Sequence, residues 1–133
     1  MRLLVVEDDH LLNNTLCYNL SASGYNVDAA MTKAAAISFC KKQQYDLVVL
    51  DVNLPDGNGF DLCERIKECH PDTAVVFLTA NDMERDMLKG FELGADDYVT
   101  KPFPISVFRK KVSALLTRIE KQTGGDCYTD GTL

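Results

Sequence analysis

Five apolar runs, each followed by a stretch of helical period, constrain this chain more than any other feature. Strands are expected over 2–6, 26–29, 46–50, 74–78 and 97–100. Helices are expected over 11–22, 33–43, 59–69, 82–93 and 105–121. The runs at 3–6, 47–50 and 74–78 are continuously apolar rather than alternating, which is the pattern of strands buried on both faces. Helices must then cover both sides of a parallel sheet, giving an α/β fold of five βα units. The second strand is more polar and suits an edge.

Local signals agree with this reading. Gly24 and Gly94 stand where C′ glycines end the first and fourth helices, Asp9 is placed to cap the first helix, and Thr32 the second. In the last helix, Phe108, Val112, Leu115, Leu116 and Ile119 form one stripe, with Arg109, Lys110, Lys111 and Arg118 off it. The simplest reading of those cations is a solvated helix face. After Lys121, the run Gln122-Thr123-Gly124-Gly125-Asp126 reads as a linker, so 1–121 is expected to be one domain and 122–133 a linker plus the start of another.

Composition excludes several function classes. A formal net charge of −6 gives the chain no electrostatic case for gripping nucleic acid or anionic lipid. No apolar stretch approaches the ~18 residues of a membrane span, and Arg2 is followed by too few apolar residues for a signal peptide. The five cysteines (Cys17, Cys40, Cys63, Cys69 and Cys127) are odd in number and lack CxxC spacing. Reduced thiols and a cytoplasmic location are expected from them.

The chemistry concentrates at strand ends. Glu7 and Asp8 follow the first strand, Asp51 the third, Thr79-Ala80 the fourth, and Lys101-Pro102 the fifth. Ligands of parallel α/β sheets bind outside the carboxyl ends of the strands. Acids converging there call for a cation, a proton or a chemical role. The run Asp56-Gly57-Asn58-Gly59 is a turn into a helix and lacks the order of a nucleotide-binding glycine loop.

Four motifs together resemble the response-regulator receiver domain of two-component systems. They are Val5-Val6-Glu7-Asp8, Leu50-Asp51-x-x-Leu54-Pro55-x-Gly57, Thr79-Ala80, and Gly94-Ala95-Asp96-Asp97-Tyr98-x-x-Lys101-Pro102-Phe103. The resemblance implies a flavodoxin-like three-layer sandwich with strand order 2-1-3-4-5. It implies a phosphoryl group passing from a sensor histidine kinase to Asp51, on a switch rather than a turnover enzyme. It further implies Mg²⁺ (or Mn²⁺) held by Asp8, Asp51 and the Asn53 backbone carbonyl, with Glu7 acting through water. Lys101, after a cis peptide bond to Pro102, and Thr79 would each engage a phosphoryl oxygen. Tyr98 would rotate inward as Thr79 moves, and Asn81 would tune access of water.

The Asp-Asp-Tyr-x-x-Lys-Pro-Phe run most resembles the OmpR/PhoB-type winged-helix subfamily. That likeness implies a homodimer on phosphorylation, formed through the fourth helix, fifth strand and last helix. The candidates are Lys89, Glu92, Asp96, Asp97, Lys111 and Arg118. Two positions depart from the subfamily: Val107 stands where Glu is usual, and Lys111 where Arg is usual. Residues 127–133 resemble the opening of a winged-helix domain, so DNA contact and transcriptional output would come from a domain beyond this chain. A haloacid-dehalogenase-like phosphatase would need a second acid where Asn53 stands. A flavodoxin-like cofactor carrier would need a phosphate-cradling loop, and an unphosphorylated pseudo-receiver would lack one of the acids, the hydroxyl or the lysine.

Overall fold

A computed structural model describes residues 1–79, 88–89 and 91–128, the last eight of these by backbone only. Five parallel strands form one sheet: β1 (Arg2–Val6), β2 (Asn26–Ala30), β3 (Leu47–Asp51), β4 (Ala74–Thr79) and β5 (Asp97–Thr100). Their order is β2-β1-β3-β4-β5, with the polar β2 at one edge as its composition required. A two-residue ribbon, Asn53–Leu54 against Gly57–Asn58, lies between β3 and the third helix. The helices are α1 (His10–Ala22), α2 (Lys33–Lys42), α3 (Gly59–Cys69) and a last helix, Ile105–Tyr128.

The strand pleat divides the core in two, because successive side chains point to opposite faces. Leu4, Val6, Val48, Leu50, Val75 and Phe77 pack with Ala36 of α2 and with Phe60, Leu62 and Ile66 of α3. Leu3, Val5, Leu47, Val49, Val76 and Leu78 pack with Leu16 and Leu20 of α1 and with the stripe Phe108, Val112, Leu115 and Leu116. All residues of β3 and β4 are buried, as continuous apolar runs demand.

Caps fall where the residue types place them. The Asp9 carboxylate accepts from Leu12 N at 3.1 Å, and the Thr32 hydroxyl from Ala35 N at 3.0 Å. Gly24 and Gly94 take φ of 97° and 99°, the left-handed geometry of a C′ residue.

Several boundaries differ from expectation, α1 starting at His10, β2 ending at Ala30 and α2 at Lys42 among them. β3 starts at Leu47 and takes in Asp51, and β4 takes in Thr79. Both reach further because the ladder continues: Asp51 pairs with Leu78, and Thr79 with Thr100. The last helix continues to Tyr128 through the stretch that reads as a linker. Gly124 and Gly125 weaken a helix by only about 1 kcal/mol each, and no proline stands there to stop it. The fourth helix, expected over 82–93, lies mostly outside the described residues, as does Asn81.

Candidate functional site: carboxylates at the strand tips

The chain order reverses at β1, whose neighbours are β2 and β3, so the tips of β1 and β3 are adjacent. Glu7 leaves β1 with its N–H donated to Ala30 O at 3.0 Å, and its side chain is 1% exposed. Asp51 closes β3 and is also buried. Asp8 is exposed beside them, and carboxylate oxygens of Glu7, Asp8 and Asp51 all lie within 4.8 Å of one another.

Among the described residues, one cation meets this cluster. Lys101 Nζ lies 2.9 Å from Glu7 Oε2 and 3.2 Å from Asp51 Oδ2. Its backbone N–H donates to Thr79 O at 2.7 Å, tying it to the tip of β4, and the Lys101–Pro102 peptide is cis. The other Asp51 oxygen, Oδ1, accepts from Asn53 N at 3.1 Å. Thr79 is buried at the end of β4. The structure therefore brings Glu7, Asp8, Asp51, Thr79 and Lys101 to one rim of the sheet.

The electrostatics follow from three acids facing one ammonium. Burial pushes the Glu7 carboxyl up to about 7; Lys101 and the Asp9 N–H pull it down, while nearby Asp51 raises it. Lys101 is lowered by burial, but hydrogen bonds and charge from Glu7 and Asp51 outweigh that and leave it raised. It is held as an ammonium. An all-oxygen donor set of this kind suits a hard divalent cation, which would offset the charge the lysine leaves uncompensated.

Two positioning residues escape sequence reasoning. Asn13 is fully buried on α1, and its Nδ2 lies 3.0 Å from Glu7 O, 3.2 Å from Ala30 O and 3.4 Å from Val5 O. It clamps the tips of β1 and β2; the signal was a polar residue on an inward helix face. Gly59 opens α3 with its N–H on Val52 O at 2.6 Å, and a Cβ there would collide with the Asp51 carbonyl oxygen. Asp56 fixes the intervening loop from outside by accepting from Lys33 N at 2.7 Å and Ala34 N at 2.9 Å. The Ala34 and Lys33 N–H groups hold its carboxyl below the usual range.

Tyr98, the residue expected to rotate inward as Thr79 moves, has its ring inside. It is already 3% exposed, stacked on Phe77 at 5.6 Å between centroids and edge-on to Phe91 at 5.0 Å. These aromatic contacts favour the inward position of the ring.

Four of the residues read as a dimer face pair within the chain. Lys111 Nζ lies 3.3 Å from Asp97 Oδ1 and 2.7 Å from Tyr98 O. Asp96 meets Arg118 at 3.6 Å and Lys67 at 3.2 Å, and accepts from Val75 N at 2.8 Å. Lys89 and Glu92 are exposed, with Lys89 Nζ 5.2 Å from the centre of the Phe60 ring.

Among the described cysteines, Cys17, Cys40, Cys63 and Cys69 are free thiols. Burial raises the first three, Cys63 to about 11. No described helix is long and apolar enough to cross a membrane.

This geometry has known counterparts. Residues 3–113 match the response regulator receiver domain. The chain belongs to that family. The receiver is 41% identical over 117 residues to the transcriptional regulatory protein CreB of Escherichia coli (strain K12), covering 88% of this chain and 51% of CreB. It superposes on the non-phosphorylated HemR receiver domain of Leptospira biflexa with a TM-score of 0.82 at 42% identity, covering 86% of this chain and 92% of that one. It also superposes on DrrB, an OmpR/PhoB homolog of Thermotoga maritima, with a TM-score of 0.80 at 38% identity, covering 88% of this chain and 52% of DrrB. The receiver thus spans about half the length of the curated relatives it matches, and those relatives are transcriptional regulators.

Proposed function

We propose that this receiver accepts a phosphoryl group on Asp51 from a sensor histidine kinase. The observation that carries the reading is Lys101, bridging Glu7 and Asp51 beside Asp8 at the strand tips. An Asp51 carboxylate oxygen attacks phosphorus, the bond to the kinase histidine breaks, and an acyl phosphate forms. Asn53 N orients the carboxylate through Oδ1. Lys101 shifts from Asp51 to a phosphoryl oxygen, and the Thr79 hydroxyl donates to another. Asp8, Asp51 and the Asn53 carbonyl would hold Mg²⁺ or Mn²⁺, with Glu7 behind them. When bound, that ion neutralises the carboxylates and the charge on the transferring oxygens. Attack of water on phosphorus then breaks the bond to Asp51, releasing inorganic phosphate and returning the carboxylate.

The test is intact mass after acetyl phosphate and Mg²⁺. Wild type gains one phosphate and Asp51→Asn gains none; an equal gain in both would remove Asp51 from the role.

For output, phosphorylation favours a homodimer through the fourth helix, β5 and the last helix. Lys89, Glu92, Asp96, Asp97, Lys111 and Arg118 ring this face, and Leu88, Phe91 and Val107 are exposed on the same elements. Inward Tyr98 links this face to Thr79 as a two-position packing element. In the full protein the receiver governs a C-terminal DNA-binding domain, as the transcriptional role of CreB suggests. Light scattering with and without beryllofluoride tests the dimer; a monomer under both conditions counts against it.

A further inference from the structure

The late basic cluster divides in the folded chain. Lys111 and Arg118 meet Asp97 and Asp96, whereas no described carboxylate lies within ion-pair distance of Arg109 or Lys110. These two residues instead line a cleft of about 550 Å³ between the last helix and the end of α1. None of the strand-tip acids lines it.

The last helix contributes Ser106, Arg109, Lys110 and Ser113 to that cleft. Their spacing of i, i+3, i+4 and i+7 makes a single polar stripe without an acceptor-only side chain. The opposite wall is Ser23 and Tyr25, with buried Leu20 behind them. Ser23 Oγ donates to Asn19 O at 3.0 Å and receives Arg109 Nη2 at 3.4 Å. This contact places the Arg109 guanidinium beside the Ser23 wall of the cleft. The carbonyl end of α1 also attracts Arg109. It provides nothing comparable for Lys110, Ser106 or Ser113.

We propose that this cleft binds a phosphate ester at a site separate from Asp51. Arg109 grips the phosphoryl group in its planar fork, Lys110 adds a point charge, and Ser106 and Ser113 donate hydroxyls. The half-buried Tyr25 ring takes the organic part. A cleft lined by two cations and no acid, in a chain of net charge −6, selects for an anionic ligand.

The experiment is an amide NMR titration of the chain at fixed ionic strength without Mg²⁺, which keeps the strand-tip site out of play. AMP and inorganic pyrophosphate are the probes and sodium chloride is the control. AMP should give saturable shifts at residues 23, 25 and 106–113. Arg109→Ala and Lys110→Ala should each weaken binding about tenfold or more, while Lys41→Ala, outside the cleft, leaves it unchanged. Tighter binding of AMP than of pyrophosphate supports the ester; equal or weaker binding of AMP overturns it. Shifts that stay linear to about 10 mM, that chloride reproduces, or that survive both substitutions overturn the proposal.

Discussion

Both ends of this sheet bury polar groups, and they do so to opposite effect. At the amino end, Tyr45 is 3% exposed and its hydroxyl donates to Asp28 Oδ2 at 2.6 Å. Gln43 Nε2 donates to the same oxygen at 2.7 Å, and Arg2 Nη1 donates to Gln43 Oε1. Thr73 Oγ1 donates to Tyr45 O at 2.7 Å, and Asp46 receives Arg2 N at 2.7 Å. Donors and acceptors match there, which is how a buried network rigidifies a fold. At the carboxyl end three acids cluster, and Lys101 bonds to two of them, Glu7 and Asp51. The first arrangement is complete. The second is left short of positive charge, and a site that violates local satisfaction is where function is expected.

The largest test of this contrast removes the cation that bonds to Glu7 and Asp51 at the carboxyl end. Lys101→Met should slow Mg²⁺-dependent phosphorylation of Asp51 by about 10²-fold or more, the scale of losing one preorganised electrostatic contact. The readout is phosphate gained per unit time by intact mass. A rate within threefold of wild type would mean that the ammonium is structural. Tyr45→Phe at the other end should leave the rate unchanged.

The pH dependence sharpens the comparison. Burial raises Glu7 from its ordinary 4.5 to about 7 in the folded chain. The folded state therefore holds a proton that the unfolded state releases between those values, and stability from this group falls as pH rises through that window. Metal-free wild type should lose on the order of 2–3 kcal/mol relative to Glu7→Gln between pH 4.5 and 7.5. Urea melts at several pH values measure the difference, and parallel curves would contradict it. Mg²⁺ should stabilise wild type more at pH 7.5 than at pH 5, because the protons it displaces are already gone.

These contrasts explain what the sequence could and could not announce. Continuous apolar runs made the two-sided sheet legible, and acids at run ends made Glu7, Asp8 and Asp51 legible. Each is a property of a short segment. Asn13 was not, because its three carbonyl partners come from β1 and β2, which meet only in the fold. In sequence Gly59 is only a turn residue, since its close approach to the Asp51 carbonyl is a tertiary fact. The inward Tyr98 ring likewise depends on Phe77 and Phe91, both distant from any motif logic. Val107 and Lys111 were visible as departures, but the pairing of Lys111 with Asp97 was not.

Gly59 provides the next test. In Gly59→Ala the added methyl must push α3 away from β3 or move the Asp51 carbonyl, at about 1–3 kcal/mol for overpacking. Phosphorylation should fall with stability, because the same backbone aims the carboxylate. Denaturant midpoints and phosphorylation rates on one preparation show whether the two losses travel together; a stable variant that phosphorylates normally would refute the close-approach argument.

The smallest effect belongs to the complete network. Tyr45→Phe removes a hydroxyl that donates to Asp28 and accepts from Gln43, while Gln43 Nε2 still reaches Asp28. One partner survives for each group, so the loss should be about 1 kcal/mol, the net value of a hydrogen bond rather than of a stranded charge. Burial, and next the bond to Asp28, push the Tyr45 phenol up, so it stays protonated through any physiological range. The loss should therefore be flat from pH 5 to pH 8, where the Glu7→Gln difference is steep. Urea midpoints for the two variants, measured side by side, set a redundant network against one short of charge. If Tyr45→Phe proved the more pH-dependent of the two, the distinction between the ends of the sheet would be lost.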